Sequence, residues 1–144
     1  MKRKSTAIWN GTGKEGSGKL SSTSGVLKDT PYSFDTRFTS EDGKAGTNPE
    51  ELIAAAHAGC FNMALSFQLG GEGFTPDELN TEAVVHVENI DGQFKIVKID
   101  LKLKGKVPGI EKDKFMEIAE KAKKECPVSQ ALSSVEITLT AELS

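Results

Sequence analysis

One long stretch without charge constrains the fold of this chain more than any other feature. From Leu52 to Leu69 no side chain is charged, and apolar residues fall on all sides of the helix that this stretch predicts. The tetrapeptide Asn48–Glu51 precedes it with a capping residue, a proline suited to the first helical position and two carboxylates at the positive end of the dipole. A helix that is apolar all round is usually enclosed by other protein. We therefore expect a long, buried central helix.

The other elements are shorter and surround this helix in sequence. The pair Asp91-Gly92 predicts a hairpin turn, and Gly70–Gly73 predicts the end of the central helix, because glycine adopts the left-handed conformation of helix ends. Strands on both sides of the helix predict a single α+β domain over residues 1–144 with a largely antiparallel sheet. The remaining predicted elements are strands at Thr6–Asn10, Lys19–Ser24, Thr81–Glu88, Phe94–Lys104 and Val135–Leu143, extended chain at Val26–Phe38, a polar loop at Ser40–Thr47, a helix at Ile110–Lys124 and a helical turn at Val128–Leu132.

The predicted elements do not suffice to cover the central helix. The strand Phe94–Lys104 alternates apolar and charged residues, so its sheet has one buried and one wet face. The helix Ile110–Lys124 is amphipathic, with Phe115, Ile118, Ala119 and Ala122 on its inner stripe. One sheet face and one helix stripe leave part of the central helix uncovered. This deficit predicts an obligate homodimer.

Charge and cysteine content narrow the class of protein. The net charge is −3, which does not favour nucleic acid as a partner. No apolar segment of a secretory signal follows the basic Met1–Lys4, and only two cysteines occur, so we expect a cytoplasmic protein. The run Leu52–Leu69 is barely long enough for a membrane span and contains His57 and Gln68. We expect a core helix and no membrane association.

The glycine-rich segment Gly11–Gly18 resembles a phosphate-binding loop by chance. Its glycines at 11, 13 and 16 match G-x-G-x-x-G, but such a loop needs a helix to follow it, whose N-terminus receives the phosphate. The residues that follow are typical of a turn or strand. The segment predicts a hairpin turn.

Cys60 and Cys126 are the residues best suited to chemistry. Cys60 lies in the central helix and is either a small core residue or a nucleophilic thiol. A nucleophilic thiol needs a lowered pKa, which a nearby cation supplies. Cys126 precedes Pro127 at the start of a short helix and follows Lys123 and Lys124, which also favours a reactive thiol. It could approach Cys60 and form a disulfide, but the sequence separation neither supports nor forbids this.

Arg37 is the most informative cation, because the chain has only two arginines. Its planar fork suits a carboxylate, and Glu50 or Glu51 is the natural partner; the alternative is a surface ion pair of little consequence. Glu50 precedes Cys60 by ten residues, which is about 15 Å along a helix axis. If both act at one site, the helix bends or a second chain supplies the carboxylate.

His57 lies three residues before Cys60 and shares a helix face with it. A Cys–His pair suggests acyl transfer, whereas a histidine on an apolar helix is more often a hydrogen-bonded core residue. A metal site made of His57, His86 and the two cysteines has poor spacing. We expect no metal and no bound cofactor.

Several segments of the sequence closely resemble the osmotically inducible protein C family, the OsmC/Ohr peroxidases, and within it the OsmC branch. The segments that carry the resemblance are Ser24–Leu27, Asn48–Phe61, Val107–Ile110 and Cys126–Ser129.

The resemblance implies an OsmC-like fold in which an intertwined homodimer carries two sites at the subunit interface. It implies a thiol-dependent peroxidase that reduces organic hydroperoxides to alcohols, with hydrogen peroxide a poorer substrate. Cys60 is then the peroxidatic thiol, Cys126 the resolving thiol, Arg37 and Glu50 the activating pair, and Glu51 a structural carboxylate. An external dithiol, in this family a lipoyl protein, reduces the Cys60–Cys126 disulfide. Phe61, Leu65 and Phe67 are candidates for an apolar pocket beside Cys60.

Two other functions remain open from the residues alone. The cysteine pair is compatible with a non-enzymatic redox sensor or binding module. Cys60 with His57 is compatible with a Cys–His acyl hydrolase.

Overall fold

The computed structural model describes all residues from Met1 to Ser144. Its elements confirm the α+β class and lie close to the predicted ones. In chain order they are β1 (Ser5–Asn10), β2 (Ser17–Ser22), β3 (Thr30–Ser33), a π-helical turn (Asp35–Thr39), α1 (Pro49–Gly71), β4 (Glu78–Ile90), β5 (Gln93–Lys106), α2 (Lys112–Glu125), α3 (Pro127–Ala131) and β6 (Glu136–Leu143).

The backbone packs into two compact units, Met1–Leu52 and Ile53–Ser144, whose boundary falls inside α1. The first unit holds the β1-β2-β3 sheet and the π-helical turn, and the second holds the β4-β5-β6 sheet with α2 and α3. That residues 1–144 act as one domain stays a prediction.

The first unit is an antiparallel sheet on which two aromatic rings meet. Trp9 on β1 and Tyr32 on β3 both pair with Gly18 on β2, and their ring centroids are 5.3 Å apart. A Cβ at Gly18 would lie 2.4 Å from Cε1 of Tyr32 and 2.8 Å from Cε3 of Trp9, so this position requires glycine. The indole N–H of Trp9 donates to the carbonyl oxygens of Gly11 and Thr12, both at 3.2 Å. The glycine-rich segment is thus the predicted hairpin turn.

The prediction of extended chain over Val26–Phe38 is wrong at its C-terminal end, where Asp35–Thr39 forms the π-helical turn. The Ser33 N–H donates to Oγ1 of Thr36 at 2.9 Å, and the Thr36 N–H donates to Oγ of Ser33 at 3.2 Å. The Ser40 N–H closes the turn on the Asp35 carbonyl oxygen at 2.9 Å. Serine and threonine hydroxyls satisfy backbone groups locally in this way, and so compete with a strand. Arg37 therefore lies in the middle of a turn.

Helix α1 begins and ends as its sequence predicts. The Glu51 N–H donates to Oδ1 of Asn48 at 2.8 Å, which is the N-cap hydrogen bond. At the other end Gly73 has a φ of 86°, and the Phe74 N–H donates to the Leu69 carbonyl oxygen at 2.9 Å. The helix is unbroken between these ends.

Only one face of α1 is buried within the chain. Phe61, Leu65 and Leu69 are fully buried, whereas Met63 is 65% and Phe67 is 77% exposed. The helix is long and apolar enough to cross a membrane, with a mean hydropathy of 1.3 in its most apolar window, but core helices meet the same criterion. Only 22% of that window is buried inside the single chain. The packing deficit expected from the sequence is therefore confirmed for the monomer.

The second unit contains the hydrophobic core. Strands β4 and β5 are antiparallel and joined by the predicted turn, in which Asp91 and Gly92 have φ values of 52° and 82°. Strand β6 is parallel to β5, because α2 and α3 carry the chain back across the sheet. The sheet is thus largely, but not wholly, antiparallel. The core consists of Phe61, Leu65 and Leu69 from α1, Ile99, Leu101 and Leu103 from β5, and the predicted stripe Phe115, Ile118, Ala119 and Ala122 of α2.

Candidate functional site

The two cysteines lie side by side in the second unit. Sγ of Cys126 is 3.0 Å from Sγ of Cys60, and both residues are free thiols. Cys60 lies on α1 and is partly exposed, whereas Cys126 is fully buried at the start of α3. Cys126 has an extended backbone and Pro127 occupies the first helical position, so α2 ends and α3 begins at this thiol. The structure thus places Cys126 in contact with Cys60, an approach that the separation of the two residues in the sequence leaves open.

The surroundings of Cys60 within the chain favour the neutral thiol. Burial raises the pKa of the Cys60 thiol, and the hydrogen bond with the Cys126 thiol raises it further. A hydrogen bond from the backbone of Val128 lowers the pKa and is outweighed. A reactive thiolate requires the opposite shift. These neighbours raise the pKa of Cys60, so a nucleophilic role calls for a nearby cation to lower it.

Arg37 and Glu50 form a forked pair in the first unit. Nε of Arg37 donates to both carboxylate oxygens of Glu50 at 3.1 Å, and Nη2 donates to Oε1 at 2.5 Å. The Glu50 side chain is 11% exposed and that of Arg37 is 38% exposed. Charge-assisted forks of this kind fix the guanidinium plane as well as its charge. The predicted arginine–carboxylate pair is confirmed, and its carboxylate is Glu50.

Glu51 does not bond to Arg37 and has a different hydrogen-bond partner. Its carboxylate accepts a hydrogen bond from Oγ1 of Thr47 at 2.8 Å, and the side chain is exposed. The two neighbouring carboxylates at the start of α1 thus have separate partners, which makes Glu51 a natural control for Glu50.

Arg37 borders a cavity of about 240 Å³ within the first unit. Its guanidinium carbon also lies 4.7 Å from the centroid of the Phe38 ring, a favourable cation–π contact. The cavity therefore combines a fixed positive charge with apolar walls. Its other lining residues include Trp9, Tyr32, Ser33, Phe34 and Pro49.

The apolar residues expected around Cys60 are placed differently from the prediction. Phe61 and Leu65 belong to the fully buried core, and Phe67 projects from the exposed face of α1. The aromatic cavity beside Arg37 was not predicted, because its residues come from β1, β3 and the π-helical turn, which the sequence does not bring together.

His57 is a fully buried residue bonded to Ser129. Its Nε2 lies 2.7 Å from Oγ of Ser129, and its Nδ1 has no hydrogen-bond partner. Burial lowers the pKa of the His57 imidazole, so the ring is neutral at pH 7. Because His57 bonds to Ser129, this geometry gives the Cys–His hydrolase hypothesis no support. No group of three or more histidine, cysteine, aspartate or glutamate side chains is arranged to hold a metal ion.

The four predicted site residues thus form two pairs, Arg37 with Glu50 in the first unit and Cys60 with Cys126 in the second. Sequence reasoning missed Ser129, although it lies in a segment that carries the family resemblance. Its spacing of three residues from Cys126 matches that of His57 from Cys60, and this match is a signal that could have been used.

Comparison with known proteins gives a consistent result. A family model described as OsmC-like protein matches residues 41–140. The peroxiredoxin OsmC of Escherichia coli K12 is 52% identical over 141 residues, which cover 98% of this chain and 96% of that protein. The organic hydroperoxide resistance protein of Xanthomonas axonopodis pv. citri is 35% identical over 68% of each chain. The crystal structure of OhrB, the organic hydroperoxide resistance protein of Bacillus subtilis, superposes with a TM-score of 0.72 at 27% identity, covering 96% of this chain and 98% of that one.

Proposed function

The chain belongs to the OsmC family and is a thiol-dependent peroxidase of organic hydroperoxides, and we propose that Cys60 and Cys126 carry its chemistry as peroxidatic and resolving thiols. The observation that carries this proposal is the 3.0 Å separation of the two sulfur atoms. Formation of a disulfide needs only a small further approach of the two side chains, because a sulfur–sulfur bond is about 2.05 Å long.

The reaction follows from sulfur chemistry. The Cys60 thiolate attacks the outer oxygen of the hydroperoxide, the O–O bond breaks, and the alkoxide leaves and takes up a proton as the alcohol. Cys60 is then a sulfenic acid. The Cys126 sulfur attacks the Cys60 sulfur, a disulfide forms and water leaves. An external dithiol reduces the disulfide by exchange and returns both thiols.

Arg37, held by Glu50, is the proposed activating cation. A guanidinium beside Cys60 stabilises the thiolate and opposes the raised pKa that Cys60 has in the isolated chain. The same cation stabilises the negative charge that develops on the leaving oxygen. The forked bond to Glu50 supports this role, since it fixes the guanidinium of a residue that lines the cavity.

We propose that the active form is an intertwined homodimer in which one chain supplies Arg37 and Glu50 to Cys60 of the other. Two observations support this. The apolar face of α1 around Met63 and Phe67 is exposed in the single chain, and a second copy would cover it. Glu50 and Cys60 are ten residues apart on the unbroken helix α1, which does not favour a shared site within one chain.

The remaining proposals concern the setting of the enzyme. We propose that residues 1–144 work as one domain, because the family match over residues 41–140 spans both compact units.

We propose a cytoplasmic location, where two free thiols stay reduced. We propose a lipoyl group on a protein as the dithiol that reduces the disulfide. A redox sensor remains the second candidate, because a close thiol pair serves a switch equally well.

Steady-state consumption of cumene hydroperoxide with a dithiol tests the function. We expect turnover by the wild type and none by Cys60→Ser. Cys126→Ser should give a single turnover, because its sulfenic acid has no resolving thiol. Turnover that survives in Cys60→Ser would end the assignment, and stoichiometric oxidation of the wild type without turnover in the presence of dihydrolipoamide would favour the sensor.

A further inference from the structure

The helices that carry the two thiols are joined by a second contact one helical turn away. His57 lies three residues before Cys60 on α1, and Ser129 lies three residues after Cys126 on α3. Residues three apart on a helix share a face. The hydrogen bond between His57 and Ser129 at 2.7 Å therefore lies beside the sulfur pair at 3.0 Å, and both link the same two helices.

The His57–Ser129 bond is shielded from water. His57 is fully buried and Ser129 is 5% exposed. A neutral imidazole has one donor nitrogen and one acceptor nitrogen. In His57 the Nε2 atom bonds to Ser129, and the Nδ1 atom has no hydrogen-bond partner. Removal of the serine hydroxyl takes away the one hydrogen-bond partner of a fully buried imidazole. The bond is thus a directional link between α1 and α3.

Helix α3 needs such a link. It has only five residues, from Pro127 to Ala131, and a helix this short has little stability of its own. Ser129 is its buried residue, so the hydrogen bond to His57 joins α3 to α1 at the position that α3 buries. Cys126 is the N-cap residue of this helix, and its N–H also closes α2 on the Ala122 carbonyl oxygen, so the position of its sulfur depends on how α3 is held as well as on α2.

The pair does not have the geometry of a hydrolase site. A serine nucleophile has to be reached by a substrate, and the base beside it is oriented by a third group on its other nitrogen. Ser129 is buried, and Nδ1 of His57 has no partner.

We propose that His57 and Ser129 are positioning residues for the resolving step: they hold α3 in place so that the Cys126 thiol stays within reach of the Cys60 sulfenic acid. This proposal rests on the peroxidase function. In the step concerned, the Cys126 sulfur forms a bond to the Cys60 sulfur, the S–O bond of the sulfenic acid breaks, and the hydroxyl leaves with the thiol proton as water. His57 and Ser129 make no contact with the Cys60 thiol; α3 bears on the attack of Cys60 only through the Val128 backbone, which lowers the Cys60 pKa, so the main effect of the link falls on the resolving step.

A single-turnover experiment separates the two steps. Reduced protein is mixed with one equivalent of cumene hydroperoxide, and samples are quenched over time with dimedone for the sulfenic acid and with an alkylating agent for the thiols. For Ser129→Ala we expect sulfenic acid formation within about twofold of wild type and disulfide formation slowed about tenfold, or 1.4 kcal/mol of activation free energy. Ser129→Thr keeps the hydroxyl and should restore the rate, and Ser134→Ala removes an exposed hydroxyl as the matched control.

A second pair of variants tests the link from its other end and applies if Ser129→Ala does not fold. His57→Gln places an amide nitrogen near the position of Nε2, whereas His57→Asn is too short to reach Ser129. We expect slow disulfide formation in His57→Asn and nearly normal formation in His57→Gln.

The outcomes distinguish this proposal from the function on which it rests. Disulfide formation at the wild-type rate in Ser129→Ala, or equal slowing of both steps, would overturn the positioning role. Failure of the function itself would look different, because neither the wild type nor Cys126→Ser would then form a sulfenic acid at Cys60.

Discussion

The pair formed by Arg37 and Glu50 predicts how much Glu50→Gln slows the reaction of Cys60 with hydroperoxide. Glu50→Gln keeps one acceptor oxygen for Arg37 but removes the charge and the second oxygen of a fork with contacts of 2.5–3.1 Å. A hydrogen bond to a charged group contributes about 1.5–3 kcal/mol. The Arg37 side chain is 38% exposed, so screening reduces the loss to about 1–2 kcal/mol. If this loss falls on the transition state, Cys60 reacts with hydroperoxide about 5- to 30-fold more slowly.

Glu51→Gln is the matched control. It removes the same charge one residue later on α1, but Glu51 is exposed and bonds to Thr47. We expect its second-order rate of Cys60 oxidation to stay within about twofold of wild type. The assay is rapid-quench alkylation of the remaining Cys60 thiol under a series of hydroperoxide concentrations, read by mass spectrometry.

A double-mutant cycle sharpens this test. In an Arg37→Ala background, Glu50→Gln should slow the oxidation of Cys60 little further, because the hydrogen-bonded fork is already lost. Equal slowing by Glu50→Gln and Glu51→Gln would show that net charge at the start of α1 matters and the fork does not. Additive losses in the double variant would refute the idea that Glu50 acts through Arg37.

Three further predictions follow from other parts of the structure. Arg37→Ala should raise the pKa of Cys60, so its alkylation by iodoacetamide should shift to higher pH in the dimer; an unchanged curve would remove Arg37 from the mechanism. Phe67→Asp places a charge on the exposed face of α1 and should yield monomers in sedimentation experiments, whereas Val26→Asp, at an exposed apolar residue outside α1, should not. Burial lowers the pKa of His57 below its ordinary 6.5, so the unfolded chain binds this proton first and stability falls as the pH drops below 6.5. Urea unfolding of wild type should therefore lose stability relative to His57→Gln between about pH 7 and pH 5, and a constant difference would contradict this.

The sequence was most informative where one local signal decides one element. Asn48 as a cap, the Asp91-Gly92 turn and the inner stripe of α2 were all predicted and are all present. Each depends on neighbours within a turn or two of helix or hairpin. The incomplete covering of α1 was also predictable, because the other predicted elements offer too few apolar faces to bury it. In the structure Phe67 of α1 is exposed, as this prediction requires.

The sequence was least informative where distant segments meet. The π-helical turn that carries Arg37 depends on reciprocal bonds between Ser33 and Thr36, which no propensity scale records. The aromatic cavity depends on the register that places Trp9 and Tyr32 on either side of Gly18. The pairing of His57 with Ser129 joins residues 72 positions apart. Cysteine separation likewise left the contact of the two thiols open, and only the resemblance to the OsmC family favoured it.

The location of the first oxidation product tests the central claim most directly. Cys126→Ser is treated with one equivalent of cumene hydroperoxide in the presence of dimedone, and the adduct is mapped by tryptic mass spectrometry. We expect one adduct per chain, on the peptide that contains Cys60, and in the wild type a Cys60–Cys126 disulfide in its place. An adduct at another residue, or hydroperoxide reduction that leaves Cys60 unmodified, would contradict the assignment of Cys60 as the peroxidatic thiol.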